Sequence, residues 1–242
     1  MSFAAGLRFP VSPVMLECAW IEGTHTMTIP GDTEKLIAAL SPALRRLALR
    51  GTIRTYRKNS VIINEGEVGE SLFVLLQGRV KVYSNDSDGR EITYNVVEQG
   101  DYFAEMWLDG GPRSASVMTL EPSVCSIVGR TALREHLAEE PDFALDLVTQ
   151  VIRRARAATE TARNMALLDV YGRVIVTLES QHGPARPDAP VTLTQITHQN
   201  IANRVGASRE MVSRLLKDLE KGGYIELGVK RITLLKKLPA RW

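Results

Sequence analysis

Gln199-Asn-Ile-Ala-Asn-Arg-Val-Gly-Ala-Ser-Arg-Glu-Met-Val-Ser-Arg-Leu-Leu-Lys217 reads as two short helices joined by a tight turn. Ala202 lies four residues before Gly206, Ile201 and Val205 share an apolar face, and Val212 and Leu215 follow at the spacing of a second packed helix. Gly206 accepts the positive φ that such a turn demands. Ser208 is placed to cap the second helix, which turns Arg209, Glu210, Ser213 and Arg214 outward, where a recognition helix meets base edges. The pattern is a helix-turn-helix, and double-stranded DNA is the partner it implies.

Downstream, Gly222-Gly223 ends the second helix, and two short strands at residues 224–227 and 231–235, joined by Gly228-Val-Lys230, read as a wing. Upstream lies a Gly/Pro-rich loop over residues 181–190. Before it, Leu168-Asp-Val-Tyr-Gly-Arg173 interrupts a helical pattern, with Asp169 placed to cap the helix that follows, so this segment is a candidate hinge. The net charge of +2 hides an asymmetry. From Leu168 onward the chain carries 12 of its 30 Lys+Arg and 7 of its 28 Asp+Glu, a net of +5, which leaves −3 for the rest. The basic surplus travels with the helix-turn-helix.

Between Pro141 and the hinge, Ala144, Val148, Val151, Ala155, Ala158, Ala162 and Met165 recur in alternating steps of four and three. That is a heptad seam whose alanines allow close approach of a second helix, while Arg153, Arg154, Arg156, Glu160 and Arg163 fall off it. The seam runs almost the whole helix, which favours a homodimer over a helix packed only on its own domain. From Thr52 to Val128 the pattern is instead one of short Val-, Ile-, Tyr- and Thr-rich segments, at residues 60–64, 71–76, 80–84 and 91–97 among others, punctuated by glycines. So many short strands at near-regular spacing favour a small barrel or roll. Asp32 to Ala48 reads as helical before it.

The fold expected is α+β. An irregular extension over residues 1–30 leads into an N-terminal β-roll, double-stranded and jelly-roll-like, over 31–140. A dimerisation helix follows over 141–167, then a winged helix-turn-helix over 168–242. Cys18 and Cys125 are too few for a disulfide framework or a cysteine-ligated cluster, and His25, His136, His182 and His198 show no ligand spacing, so no metal site and no required cofactor are expected. No apolar run of about 18 residues and no leader pattern occurs, which points away from membranes and toward the cytoplasm. The phosphate loop, nucleophile elbow and zinc-protease motifs are all missing, so an enzyme is disfavoured.

Within the strand-rich part, Phe103-Ala-Glu-Met-Trp-Leu-Asp-Gly-Gly-Pro-Arg-Ser-Ala-Ser116 joins a carboxylate on a short helical turn to an arginine eight residues later. Backbone N–H groups near Ala104 to Met106 favour an anion, Arg113 can add a charge-assisted bond and Ser114 a hydroxyl. Glu105 suits sugar hydroxyls rather than phosphate. The set matches a nucleotide presenting both groups, although a surface ion pair would show the same two residue types.

Glu65-Gly66 with Gly78, Gln99-Gly-Asp101, Phe103-Ala-Glu105 and Pro112-Arg-Ser-Ala115 resemble the cyclic-nucleotide-binding roll of the catabolite activator/FNR family of bacterial transcription regulators. Leu168-Asp-Val170 with Gly172-Arg173, and Gly206 with Ser208-Arg-Glu210, resemble that family's hinge and recognition helix. The resemblance runs from about Ile53 to Leu235. It implies that Glu105 holds a ribose hydroxyl, that Arg113 and Ser114 hold a cyclic phosphate, and that Arg154 pairs with the pocket glutamate. It also implies that Thr159 reaches the purine from the partner subunit. Three positions depart from the cyclic-AMP pattern: Ala104 replaces a glycine, Trp107 a small residue and Ala158 a threonine. Trp107 is expected to add bulk beside the pocket. These departures leave open cyclic AMP, a cyclic dinucleotide, or a roll that serves only as a scaffold.

At the DNA end, Arg209 and Arg214 can address guanine, and Glu210 can accept from cytosine N4. Ser208, Ser213 and Lys217 share that surface, and Thr197 and Gln199 begin the first helix beside the DNA backbone. Lys221, Lys230, Arg231, Lys236 and Lys237 provide sequence-independent attraction or a solvated basic face. Thr197-His-Gln-Asn200 departs from the usual Thr-x-x-Glu capping box, which softens that helix start. A dimer would set two recognition helices about 34 Å apart on a pseudo-palindromic site. RNA polymerase is the further partner the family resemblance implies.

Overall fold

The computed structural model describes residues 31–180 and 190–239. The N-terminal extension, Cys18, His25, His182 and nearly all of the Gly/Pro-rich loop lie outside the described residues. The stretch from Asp32 to Ala48 is helical, divided into α1 (Gly31–Ala38) and α2 (Pro42–Ala48). Pro42 has no N–H to donate and holds Ser41 extended, at φ −57° and ψ 152°, so the first helix cannot run through.

Eight strands follow: β1 (Thr52–Tyr56), β2 (Val61–Ile63), β3 (Ser71–Gln77), β4 (Val80–Asn85), β5 (Glu91–Val97), β6 (Tyr102–Phe103), β7 (Ser116–Thr119) and β8 (Ser123–Gly129). They pair antiparallel in two four-stranded sheets, in the orders β1-β8-β3-β6 and β2-β7-β4-β5. β3 shows why the roll holds together. Its side chains alternate between two cores: Phe73 and Leu75 join Ile63, Val80, Val97, Phe103 and Val117 between the sheets, whereas Leu72, Val74 and Leu76 pack outward against the helices. A strand buried on both faces has to be apolar throughout, as Leu-Phe-Val-Leu-Leu is.

Two helices close the roll, α3 (Arg130–Glu139) and α4 (Pro141–Leu167). Phe143 and Leu147 of α4 are buried in the outer core beside Tyr102, Trp107 and Leu133. Val148, Val151 and Ile152, on another face of the same helix, remain exposed. The helix stops where Leu168 turns extended, at φ −108° and ψ 142°. Asp169 Oδ1 then accepts from Gly172 N at 2.7 Å at the start of α5 (Val170–Ser180), the capping role its position suggested. Arg173 fastens this corner, donating to Leu168 O and to Val205 O, each at 2.8 Å.

The C-terminal part comprises β9 (Val191–Thr194), α6 (His198–Val205), α7 (Arg209–Lys221), β10 (Ile225–Gly228) and β11 (Arg231–Leu234). β9 completes a three-stranded sheet in the order β10-β11-β9, so the wing has a third strand that its two-strand pattern did not reveal. Its own core is built from Val174, Leu178, Ile201, Ala202, Val205, Val212, Leu216 and Leu219 among others. The buried face of α7 is therefore Val212, Leu216 and Leu219, and Leu215 lies at its edge. Gly206 turns the corner between α6 and α7 at φ 61°.

Candidate effector pocket and nucleic-acid interface

β6 ends in a 3-10 turn, Glu105–Asp109, entered through Ala104 at φ 67° and ψ 32°. That left-handed conformation is strained for any residue with a Cβ. The turn brings the Ala104 carbonyl to Arg113. Its guanidinium is buried and donates to Ala104 O at 2.9 Å and to Ser71 O at 3.0 Å, which leaves three of its five N–H donors for other partners. The loop before β3 is zipped to the same residue, with Arg113 N donating to Glu67 O and Gly66 N donating to Arg113 O. Gly69 makes room for the guanidinium, since a Cβ there would lie 2.9 Å from Nη2. Burial lowers the Arg113 pKa, yet an arginine stays cationic, so a positive charge is held in a desolvated cradle. Ser114 Oγ, beside it, donates to Met106 Sδ at 3.1 Å.

Glu105 is buried and its carboxylate accepts from Arg154 Nη1 at 2.5 Å. Arg154 Nη2 donates to Tyr102 O at 2.7 Å, and one turn earlier on α4 Gln150 Nε2 reaches both carboxylate oxygens of Asp101, at 3.2 and 3.3 Å. The long helix is thus gripped at two successive turns by the segment that carries the cradle. The Tyr102 phenol is pushed up to about 12 by burial, so it remains a neutral hydroxyl. Thr159 sits on the exposed part of α4 and donates to its own helix at Ala155 O, 3.0 Å away. Ala104, Glu105, Arg113 and Arg154 are therefore brought together within one chain, with Met106 and Ser114 at their edge. Thr159 is not.

Trp107 corrects the sequence expectation. Its ring is 2% exposed and belongs to the outer core with Leu72, Val74 and Phe143, with the Arg130 guanidinium 4.9 Å from the ring centroid. The bulk fills space between sheet and helices rather than beside the cradle.

On the other domain, Arg209, Glu210, Ser213, Arg214 and Lys217 line one open cleft of about 430 Å³ on the outer face of α7. Ser208 caps that helix, accepting from Met211 N at 3.2 Å. Thr197 caps α6 as its position allows, and only the weaker reciprocal bond expected of Asn200 is corrected. Asn200 Oδ1 accepts from Thr197 N while Thr197 Oγ1 accepts from Asn200 N, each at 3.1 Å, so asparagine closes the capping box that a glutamate usually completes. Gln199 Nε2 donates to Asn203 Oδ1 at 2.6 Å. His198, given no role from sequence, bonds through Nδ1 to Ser213 Oγ at 2.8 Å and so joins the start of α6 to the recognition helix. Burial, and then the charges of Arg209 and Lys217, lower its pKa and keep it neutral near pH 7. Its i to i+15 separation left no local signal in the sequence.

Among the described residues no group of His, Cys, Asp and Glu is arranged to hold a metal ion, and no helix is long and apolar enough to cross a membrane. Residues 53–140 match the cyclic nucleotide-binding domain, and residues 172–238 match the Crp-like helix-turn-helix domain. The cAMP-activated global transcriptional regulator CRP of Pasteurella multocida is 32% identical over 202 residues, covering 81% of this chain and 96% of that protein. The CRP-like cAMP-activated global transcriptional regulator of Mycobacterium tuberculosis is 30% identical over 208 residues, covering 84% and 90%. Two solved structures share the fold. The c-di-GMP responsive global regulator CLP of Xanthomonas campestris has a TM-score of 0.70 at 24% identity, covering 79% of this chain and 97% of that one. A CooA variant from Carboxydothermus hydrogenoformans has a TM-score of 0.69 at 22% identity, covering 78% and 85%. The chain belongs to the CRP/FNR family of transcription regulators, with a cyclic-nucleotide-binding roll and a DNA-binding winged helix-turn-helix.

Proposed function

We propose that the protein is a homodimeric, sequence-specific DNA-binding transcription regulator of the cytoplasm, controlled by a cyclic nucleotide bound where the roll meets the long helix. The observation that carries this reading is the double grip of Gln150 and Arg154 on Asp101, Tyr102 and Glu105, beside the buried cation of Arg113. A ligand that engages Glu105 and Arg113 together changes the bonding of Arg154. The input site and the helix leading to the hinge therefore share one charged contact. Such a ligand biases the equilibrium between two arrangements of the reading heads.

Arg113 and Ser114 would hold the phosphate with the backbone at Ala104 and Met106, and Glu105 a ribose hydroxyl. The heptad seam supplies Thr159. With Val148, Ala155 and Ala162 at position a, Arg154 stands at g and Thr159 at e of the next heptad. In a parallel pair of helices g faces the partner's e five residues on, so each Arg154 meets the partner's Thr159. The exposed Val148 and Val151 support that pairing.

At the DNA end, Arg209, Glu210 and Arg214 would read base edges, with Ser208, Ser213 and Lys217 alongside and Thr197 and Gln199 on the backbone. RNA polymerase is the further partner. Cyclic AMP is supported by the relatives it activates, and a cyclic dinucleotide by the likeness to a c-di-GMP responsive regulator.

One feature favours a second reading, in which the roll is a scaffold and DNA binding needs no nucleotide: Ala104 places a Cβ in the cradle where the family carries glycine. Calorimetry with cyclic AMP, cyclic GMP and cyclic di-GMP separates the two. Heat with one of them that Arg113→Ala abolishes supports the regulated form; no heat with any supports the scaffold.

A further inference from the structure

Ser213 stands at the middle of the cleft on α7, four residues after Arg209 and four before Lys217, so the three share one stripe of the helix. From the other side of the turn, His198 at the start of α6 reaches Ser213 Oγ through Nδ1 at 2.8 Å. The bond is not needed to hold the two helices together. Ile201, Ala202 and Val205 of α6 already pack in one core with Val212 and Leu216 of α7, none of them more than 1% exposed. The Thr197–Asn200 capping box fixes the turn that carries the imidazole.

On the reading of the chain as a DNA-binding regulator, we infer that His198 is a positioning residue of the reading head: its bond decides whether the Ser213 hydroxyl offers DNA a hydrogen or only lone pairs. A neutral ring with its proton on Nε2, the tautomer that a free histidine side chain prefers, accepts the Ser213 hydrogen at Nδ1. Oγ then presents lone pairs alone, which suit the amino groups at cytosine N4 or adenine N6. A cationic ring carries a proton on both nitrogens, so Nδ1 donates to Oγ and the Ser213 O–H is released toward the cleft. Guanine O6 and N7, thymine O4 and phosphate oxygens are the acceptors it then suits. One proton on His198 therefore changes what α7 requires of the base pair facing its centre, with no movement of the backbone.

DNA itself favours that proton. The charges acting on His198 come from α7, at Arg209 and Lys217, and after burial they hold its pKa below 6.5 in the free protein. Glu210 and Arg214 line the same cleft, whereas Glu91 of β5 and Arg173 of α5 engage α6 farther along, at Asn203 and at Val205 O. Phosphates laid along the cleft offset Arg209 and Lys217, which raises the His198 pKa in the complex. Binding takes up a proton between the two values. Affinity rises as pH falls through the pKa of the complex and levels off below that of the free protein.

Full-length protein, with cyclic AMP and cyclic di-GMP present, selects its twofold-symmetric site from a random duplex library at pH 7.5 and again at pH 5.5. The wild type is expected to change its preference at one position of each half-site, from cytosine or adenine to guanine or thymine on the contacted strand. It should bind the site selected at pH 5.5 about three- to tenfold tighter at that pH than at 7.5. His198→Asn keeps a hydrogen-bonding atom at the Nδ1 position but has no proton to gain, so it should show one preference at both pH values. Ser213→Ala should lose the change of preference and keep part of the gain in affinity, since the imidazolium still meets phosphate. Calorimetry of the wild type near pH 6 in two buffers of different ionisation enthalpy needs no variant and should show net proton uptake on binding. An unchanged preference at the two pH values, a change that persists in His198→Asn or Ser213→Ala, or no proton uptake would overturn the inference and leave the bond a staple between helices. If the wild type selects no site at either pH, the DNA-binding reading fails, and this role for His198 with it.

Discussion

Arg154 of the long helix and Glu105 of the turn after β6 meet at 2.5 Å, with the glutamate side chain 6% exposed and the arginine 26%. The pair is asymmetric: the carboxylate is sealed in and the guanidinium reaches it from the rim. Removing the guanidinium strands a buried charge, whereas neutralising the carboxylate does not. Arg154→Ala is therefore expected to cost about 2 kcal/mol in urea unfolding, below the roughly 3–5 kcal/mol of a fully buried pair because Arg154 is partly solvated. Glu105→Gln should cost less. Both should weaken nucleotide binding by calorimetry.

Ala104 occupies a left-handed conformation at the mouth of the same cradle. Glycine adopts it without the Cβ penalty, so Ala104→Gly should stabilise the fold by about 1 kcal/mol, seen as a higher unfolding midpoint. The substitution also removes the methyl group from the place where a phosphate would sit. It should tighten cyclic AMP binding if the cradle receives a phosphate, while leaving binding to nonspecific DNA unchanged.

Both residues show how far the sequence could be read. Short strands, the long helix with its break at Leu168, and the helix-turn-helix were legible because each rests on local periodicity or a turn residue, and Gly206, Ser208 and Asp169 all do what their positions suggest. β9 hid because its pairing with β11 is made across α6 and α7. At the candidate site, Ala104, Glu105 and Arg113 could be named from residue type and spacing, but Arg154 only through the family resemblance, since it reaches Glu105 across 49 residues of sequence. Trp107 was misplaced for a related reason: residue size says how much volume is filled, not on which side of a turn. His198–Ser213 and Asn203–Glu91 left no local trace.

Arg209 and Lys217 line the same cleft on α7 but should behave differently on DNA. Arg209→Ala is expected to cost about 1–3 kcal/mol on the selected site and to relax preference at a single base pair. Lys217→Ala, at the far end of the cleft, should weaken specific and random duplexes alike. It should also lower the slope of log affinity against log salt by about 1. Fluorescence anisotropy at several salt concentrations distinguishes the two.

His136 is fully buried between α3 and α4, edge-on to Phe143 at 4.9 Å, and neither ring nitrogen has a hydrogen-bond partner among the described residues. Burial, more than the neighbouring Arg50, lowers its pKa below the ordinary 6.5. As pH falls below 6.5 the unfolded chain takes up the proton first, so this contribution to stability is complete above about 6.5 and is lost as pH falls through the folded-state value. Wild type should therefore lose denaturation midpoint between pH 7.5 and 5.5 more steeply than His136→Leu. Parallel profiles would exclude His136 as the source.

The most direct test of nucleotide-controlled DNA binding is one titration: full-length protein into a selected twofold-symmetric duplex, with cyclic AMP, with cyclic di-GMP and with neither. The predicted result is a shift in half-saturation of about tenfold with one nucleotide, abolished by Arg113→Ala, at a stoichiometry of two chains per duplex. Superimposable curves under all three conditions, or one chain per duplex, would contradict it.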